Sequence, residues 1–208
     1  MSNQEHLESM GEDDTLLFET SICSIELMCD DENWPIDLVS LGDEIARAAD
    51  ISFDFAQSRA GSSELSDTSL ELPKANPHIN ILLTSDDNIR QLNMEFRGKD
   101  QPTNVLSFPV GDDSALGPAA DMIIGDIVLG HETVAREARD RNVPINDHIT
   151  HLAVHGVLHL LGYDHQDDDE AQLMEGLETR ILAKMNISDP YEPGTLTDES
   201  AHATSGEQ

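Results

Sequence analysis

His155 and His159 lie four residues apart in an apolar run, and His165 follows six residues later. On a helix, positions four apart share a face, with Cβ atoms roughly 5–6 Å apart. Two imidazoles so placed can reach a single ion. Gly162 stands three residues beyond His159, and glycine can take the left-handed conformation that ends a helix. The bend it permits turns His165 back towards the same point. Three neutral imidazoles with no obvious fourth side chain form the pattern of a catalytic metal site, where water holds the open position. The expected ligands of one divalent ion are therefore His155, His159 and His165. Zinc held this way polarises a phosphoryl or carbonyl oxygen, or acidifies water to a pKa near about 7.

The same spacing occurs in the zinc protease motif H-E-x-x-H-x-x-G-x-x-H. Here Gly156 stands where that motif has its general-base glutamate. Peptide hydrolysis by that route is not expected, although a metalloprotease-like hydrolase remains the first alternative. A non-catalytic factor whose metal only holds the fold is the second. Arg97 offers five donors in a fork that fits phosphate oxygens. A cation in the last turn of a helix also simply offsets the helix dipole, and spacing alone leaves the two roles level. Thr103, Asn104 and Ser107 could hold phosphate or only shape the turn before a strand. Asp126 is either the hydrogen-bond partner of a ligand histidine or a structural acceptor. His148 and His151 read as supporting histidines rather than ligands. Asp164 is a weak candidate base, and His131 reads as a surface residue.

These side chains need elements to hold them. An alternating strand is expected over Phe18–Leu27. Trp34-Pro35 leads into a helix marked by Leu38, Leu41, Ile45 and Ala49, with Pro35 in its first turn. Residues 54–77 read as a long connection. A second strand carries Ile79, Ile81 and Leu83. The next helix is capped by Ser85 or Asp86 and ended by Gly98, with Ile89, Leu92 and Phe96 as its apolar stripe. A third strand runs through Val105–Phe108, Gly111 to Asp121 is a loop, and Ile123–Leu129 is a buried fourth strand. His131–Asn142 is an amphipathic helix. The motif helix, capped by Asn146 or Asp147, is apolar on nearly every side and so must be buried. Asp167–Glu170 open a last helix with Leu173, Met174, Leu177 and Ile181 inside. The expected fold class is α+β. It is a single domain with a mostly four-stranded central sheet, helices packed on it, and the metal helix buried.

The chain has 208 residues and a formal net charge of −31. Residues 1–77 hold 18 acidic and 3 basic groups, so much of the excess lies outside the motif segment. Such charge repels a polyanion at long range, and any nucleic-acid activity must use a local basic site. Residues 1–17 read as a disordered acidic extension and 189–208 as a disordered polar tail, flanking a domain at 18–188. No run of about 18 apolar residues is present, so no membrane span is expected. The N-terminus lacks the features of a secretory signal. Cys23 and Cys29 read as reduced thiols, and the cytoplasm is the expected compartment.

Three stretches carry a resemblance. They are Phe96-Arg97-Gly98-Lys99-Asp100-Gln101-Pro102-Thr103-Asn104-Val105-Leu106-Ser107-Phe108-Pro109, then Gly125-Asp126-Ile127-Val128-Leu129, then the histidine motif with Tyr163-Asp164-His165. In this order and spacing the chain resembles the YbeY family, bacterial endoribonucleases of ribosomal RNA maturation. The likeness covers roughly residues 78–191. It implies an α+β domain, a divalent ion, usually taken as zinc, on His155, His159 and His165, and a role for Arg97 in RNA cleavage. It further implies metal-dependent cutting of single-stranded RNA, maturation of the 3′ end of small-subunit rRNA, and ribosome quality control. The implied partners are rRNA and the small ribosomal subunit or a ribosomal protein, with no DNA and no membrane. Activated water and the RNA 2′-OH are both compatible nucleophiles. The chain departs from the family in its acidity, and in Asn104 where many members carry Asp.

Overall fold

The structure, a computed structural model, describes residues 14–60, 76–110, 123–165 and 167–192. Five strands form one mixed sheet in the order β1-β2-β3-β5-β4. They are β1 (Asp14–Glu19), β2 (Ser24–Cys29), β3 (His78–Thr84), β4 (Val105–Pro109) and β5 (Ile123–Gly130). β2, β3 and β5 run parallel, and β1 and β4 lie antiparallel at the two edges. The helices are α1 (Leu38–Ala60), α2 (Asp86–Arg97), α3 (His131–Arg141), α4 (Ile145–Leu160) and α5 (Asp168–Lys184). The α+β class holds, with one strand more than expected.

The extra strand comes from the stretch read as one strand over 18–27. It is a hairpin. The Thr20 hydroxyl accepts bonds from the Ile22 and Cys23 amides, so a side chain closes the turn without glycine. The strand begins at Asp14, inside the acidic extension expected over 1–17. At the other end, Asp189–Glu192 belong to the described structure although the tail was expected from 189. The rest of both expected extensions, and the loop at Gly111–Asp121, lie outside the described residues. α1 starts three residues after Pro35 and runs on to Ala60, through part of the expected connection. Phe53 and Ala56, both buried, continue its stripe from Ile45 and Ala49. The remainder of that connection, 61–75, lies outside the described residues.

Alternation along the strands sorts the core. Ile79, Ile81, Leu83, Ile127 and Leu129 face α1, α4 and α5 in the main core. Val128, Leu106 and Ile89 of α2 form a smaller cluster on the opposite face. α4 lies in the main core with Ile149, Val154, Val157 and Leu158 buried. Each such side chain contributes about 1.5–3 kcal/mol of burial. The helix is anchored before any metal is considered. Its N-cap is Pro144, with no side-chain cap bond, rather than Asn146 or Asp147. No helix among the described residues is long and apolar enough to cross a membrane.

Candidate metal centre

His155 and His159 project from the last turns of α4. Past the helix, Gly162 takes φ +88°. Here the Tyr163 amide donates to the Leu158 carbonyl at 3.0 Å. Asp164 accepts the His165 amide at 2.8 Å and so braces the bend. His165 thereby returns to the pair. Ring nitrogens of His155, His159 and His165 all lie within 4.8 Å of one another. The ring centroids are 4.5, 5.4 and 5.0 Å apart. His165 is exposed and the other two are half-buried, so the cluster opens to solvent on one side.

Tautomers test whether a cation fits. His155 Nδ1 donates to Glu178 Oε1 at 2.9 Å. His159 Nδ1 donates to the Tyr163 carbonyl at 3.0 Å. Both acceptors lack protons, so each neutral ring carries its hydrogen on Nδ1 and a lone pair on Nε2. Those two Nε2 atoms face each other at 3.0 Å. Two lone pairs at that distance repel unless a cation sits between them or one ring takes an extra proton. Burial, then the charge of His155, pushes the His159 imidazole below its ordinary range, which disfavours an extra proton on that ring. The donor set fits a divalent ion of intermediate softness such as zinc.

A buried acid backs the pair. Glu178 of α5, 1% exposed, accepts from His151 Nε2 at 2.7 Å as well as from His155. Tyr191 Oη donates to it at 2.5 Å. Burial alone would raise this carboxyl; the three hydrogen bonds outweigh it and hold it at about 2. Sequence reasoning missed Glu178. A signal existed, since it sits beside Leu177 in the stripe of Met174, Leu177 and Ile181, where a charge needs a partner.

The other candidates sort plainly. His151 touches Glu178, and His148 Nε2 donates to Glu137 Oε2 at 2.9 Å. Asn104 Nδ2 donates to the same Glu137 oxygen, and Asn104 Oδ1 accepts the Val105 amide. Asn104 therefore ties the start of β4 to α3. Asp126 bonds Asn80 at 2.7 Å on the sheet face away from α4, so it is not the partner of a candidate ligand. His131 is not a surface residue: it stacks on Trp34 and bonds Asp31 at 3.0 Å. Arg97 is exposed at the end of α2, and its Nη2 donates to the Ser107 carbonyl at 3.3 Å. Neither Cys23 nor Cys29 is in a disulfide, and burial pushes the Cys23 thiol up to about 12.

His148 and His159 are both lowered, in each case first by burial. Such a group binds its proton more readily in the unfolded chain, so stability rises with pH between the two values. The contribution is full above the ordinary imidazole value of about 6.5 and is lost as pH falls through the lowered folded values. The metal-free protein should therefore melt progressively lower as pH is taken from 7 to 5.5, and His148→Gln should flatten part of that slope. Scanning calorimetry across this range checks it; a flat profile contradicts it.

A mixed five-stranded α+β domain with three convergent imidazoles at the solvent end of a buried helix carries a candidate metal site. The comparisons place it further. The sequence profile of the endoribonuclease YbeY family matches residues 46–186, and the chain belongs to that family. An endoribonuclease YbeY of Rhizobium leguminosarum bv. trifolii is 42% identical over 173 residues, covering 81% of this chain and 92% of that protein. One from Rhizobium etli is 52% identical over 120 residues, covering 58% and 70%. A solution structure of a Thermotoga maritima protein aligns with a TM-score of 0.46 at 22% identity, covering 82% of this chain and 99% of that one.

Proposed function

We propose that this protein is a metal-dependent endoribonuclease cutting single-stranded RNA. Its place is late ribosome maturation, at the 3′ end of small-subunit rRNA, and ribosome quality control. It works in the cytoplasm with the small ribosomal subunit or a ribosomal protein as partner. The catalytic domain, expected over 18–188, takes in β1 from Asp14 and the turn at Asp189–Glu192. Family membership supports the substrate class. The observation that carries the metal is the pair of Nε2 lone pairs facing each other at 3.0 Å.

His155, His159 and His165 would hold one divalent ion, zinc by its donor set. When bound, such an ion supplies Lewis-acid polarisation of a phosphoryl oxygen or of water. Glu178 and the Tyr163 carbonyl keep the rings oriented through their far nitrogens. Arg97 stabilises negative charge as it builds on phosphorus, a preorganised electrostatic role. Its bond to Ser107 uses one of five donors and fixes the side chain against β4. Gly156 argues against a protease. Its Cα faces Ile127 of β5, where an added Cβ would come within 2.7 Å of Cδ1. That position points into the sheet rather than at the histidines.

The test uses single-stranded RNA and an unfolded protein as parallel substrates, with and without a chelator. RNA fragments that vanish with the chelator are expected. Peptide fragments without RNA fragments would overturn the reading. Arg97→Ala should lower RNA cleavage by about a hundredfold or more, the scale of losing one transition-state donor. Its metal content and melting temperature should stay at wild-type values because Arg97 is exposed. Full cleavage by that variant would remove Arg97 from the mechanism.

A further inference from the structure

We infer that Glu178 is a positioning residue of the metal centre, kept aimed at His155 by His151 and Tyr191. The inference rests on the three-histidine metal reading above. The two carboxylate oxygens are used unequally. Oε2 takes two donors, His151 Nε2 at 2.7 Å and Tyr191 Oη at 2.5 Å. Oε1 takes His155 Nδ1 at 2.9 Å. The pair of donors on the far oxygen clamps the group, and the near oxygen is left directed at the imidazole. A carboxylate so placed fixes the ring's tautomer and angle, raises the basicity of Nε2, and offsets part of the ion's charge.

The segment after α5 is built to complete this arrangement. Thr179 Oγ1 donates to Asp189 Oδ1 at 3.1 Å, and the same oxygen accepts the Tyr191 amide at 2.9 Å. Asp189 thus pins the turn to α5 and delivers the Tyr191 hydroxyl to Glu178. The Tyr191 ring also meets His151 edge-on at 5.9 Å. The two donors on Oε2 leave Oε1 to a third. The third bond goes to a candidate ligand, and it sets which nitrogen that ligand presents.

The experiment is a zinc titration of the full chain against a chromophoric chelator, for wild type, Glu178→Gln and Tyr191→Phe. Glu178→Gln should bind zinc about 10–100-fold more weakly, the usual cost of losing an outer partner of a ligand. Tyr191→Phe should lose a smaller factor in the same direction. Cobalt(II) absorption of both variants should differ from wild type, reporting a changed ligand field. Wild-type affinity in the folded fraction of both variants, with only melting temperature lowered, would overturn the inference and leave the metal centre standing. A wild type that binds no zinc would sink both. Should Glu178→Gln not fold, nitrogen NMR of wild type decides. His155 protonated on Nδ1 supports the inference, and His155 protonated on Nε2 overturns it.

Discussion

His159→Ala should lose zinc binding by more than the roughly 10–100-fold of an outer-partner change. RNA cleavage should fall by at least about a thousandfold, since a metal's Lewis acidity contributes several kcal/mol. His159 supplies one of three nitrogens, and two imidazoles cannot replace it. The fold should survive. The ring is half-buried, and among the described residues its one bond outside the cluster is to the Tyr163 carbonyl, a contact with a net contribution of about 1 kcal/mol. α4 is held by its apolar side chains in the main core. Metal-free wild type and metal-free His159→Ala should therefore melt within a few degrees of each other. An unfolded variant would instead assign the metal a purely structural role.

Gly156→Glu should strongly destabilise the protein rather than convert it into a protease. A Cβ at 156 would meet Ile127 Cδ1 at 2.7 Å and two further Ile127 carbons at 3.0 Å. Overpacking of this kind costs about 1–3 kcal/mol. A carboxylate forced between α4 and β5 adds several kcal/mol more, because nothing there would pair with it. Against a total stability of about 5–15 kcal/mol, the sum removes most of the margin. Calorimetry should show a melting temperature lower by 10 °C or more, at about 2–4 °C per kcal/mol for a chain this long. Gly156→Ala should cost less, because alanine brings the Cβ clash without a buried carboxylate. A stable Gly156→Glu protein that cleaves peptides would overturn both the packing argument and the exclusion of protease chemistry.

The histidine cluster was legible because its geometry is local. Positions four apart on one helix, followed by a glycine that reverses the chain, need no long-range knowledge. Glu178 was not legible in that way: it comes from another helix, 23 residues beyond His155. Only its place within an apolar stripe could have marked it. Asp126 illustrates the reverse. Strand parity with Ile127 and Leu129, both buried against α4's side of the sheet, already turns Asp126 to the other face. The hairpin before α1 was hidden because the Thr20 hydroxyl closes its turn, a weaker signal than glycine or asparagine. α1 was read too short because Ser, Asp and Gln in its last turns masked the continuing stripe at Phe53 and Ala56.

Zinc-edge X-ray absorption on the full chain, loaded with one equivalent of zinc, addresses the metal centre itself. Three imidazole nitrogens at about 2.0–2.1 Å are expected, with the imidazole scattering reduced in His159→Ala. A sulfur shell at about 2.3 Å, or a spectrum that His159→Ala leaves unchanged, would contradict a centre built on His155, His159 and His165.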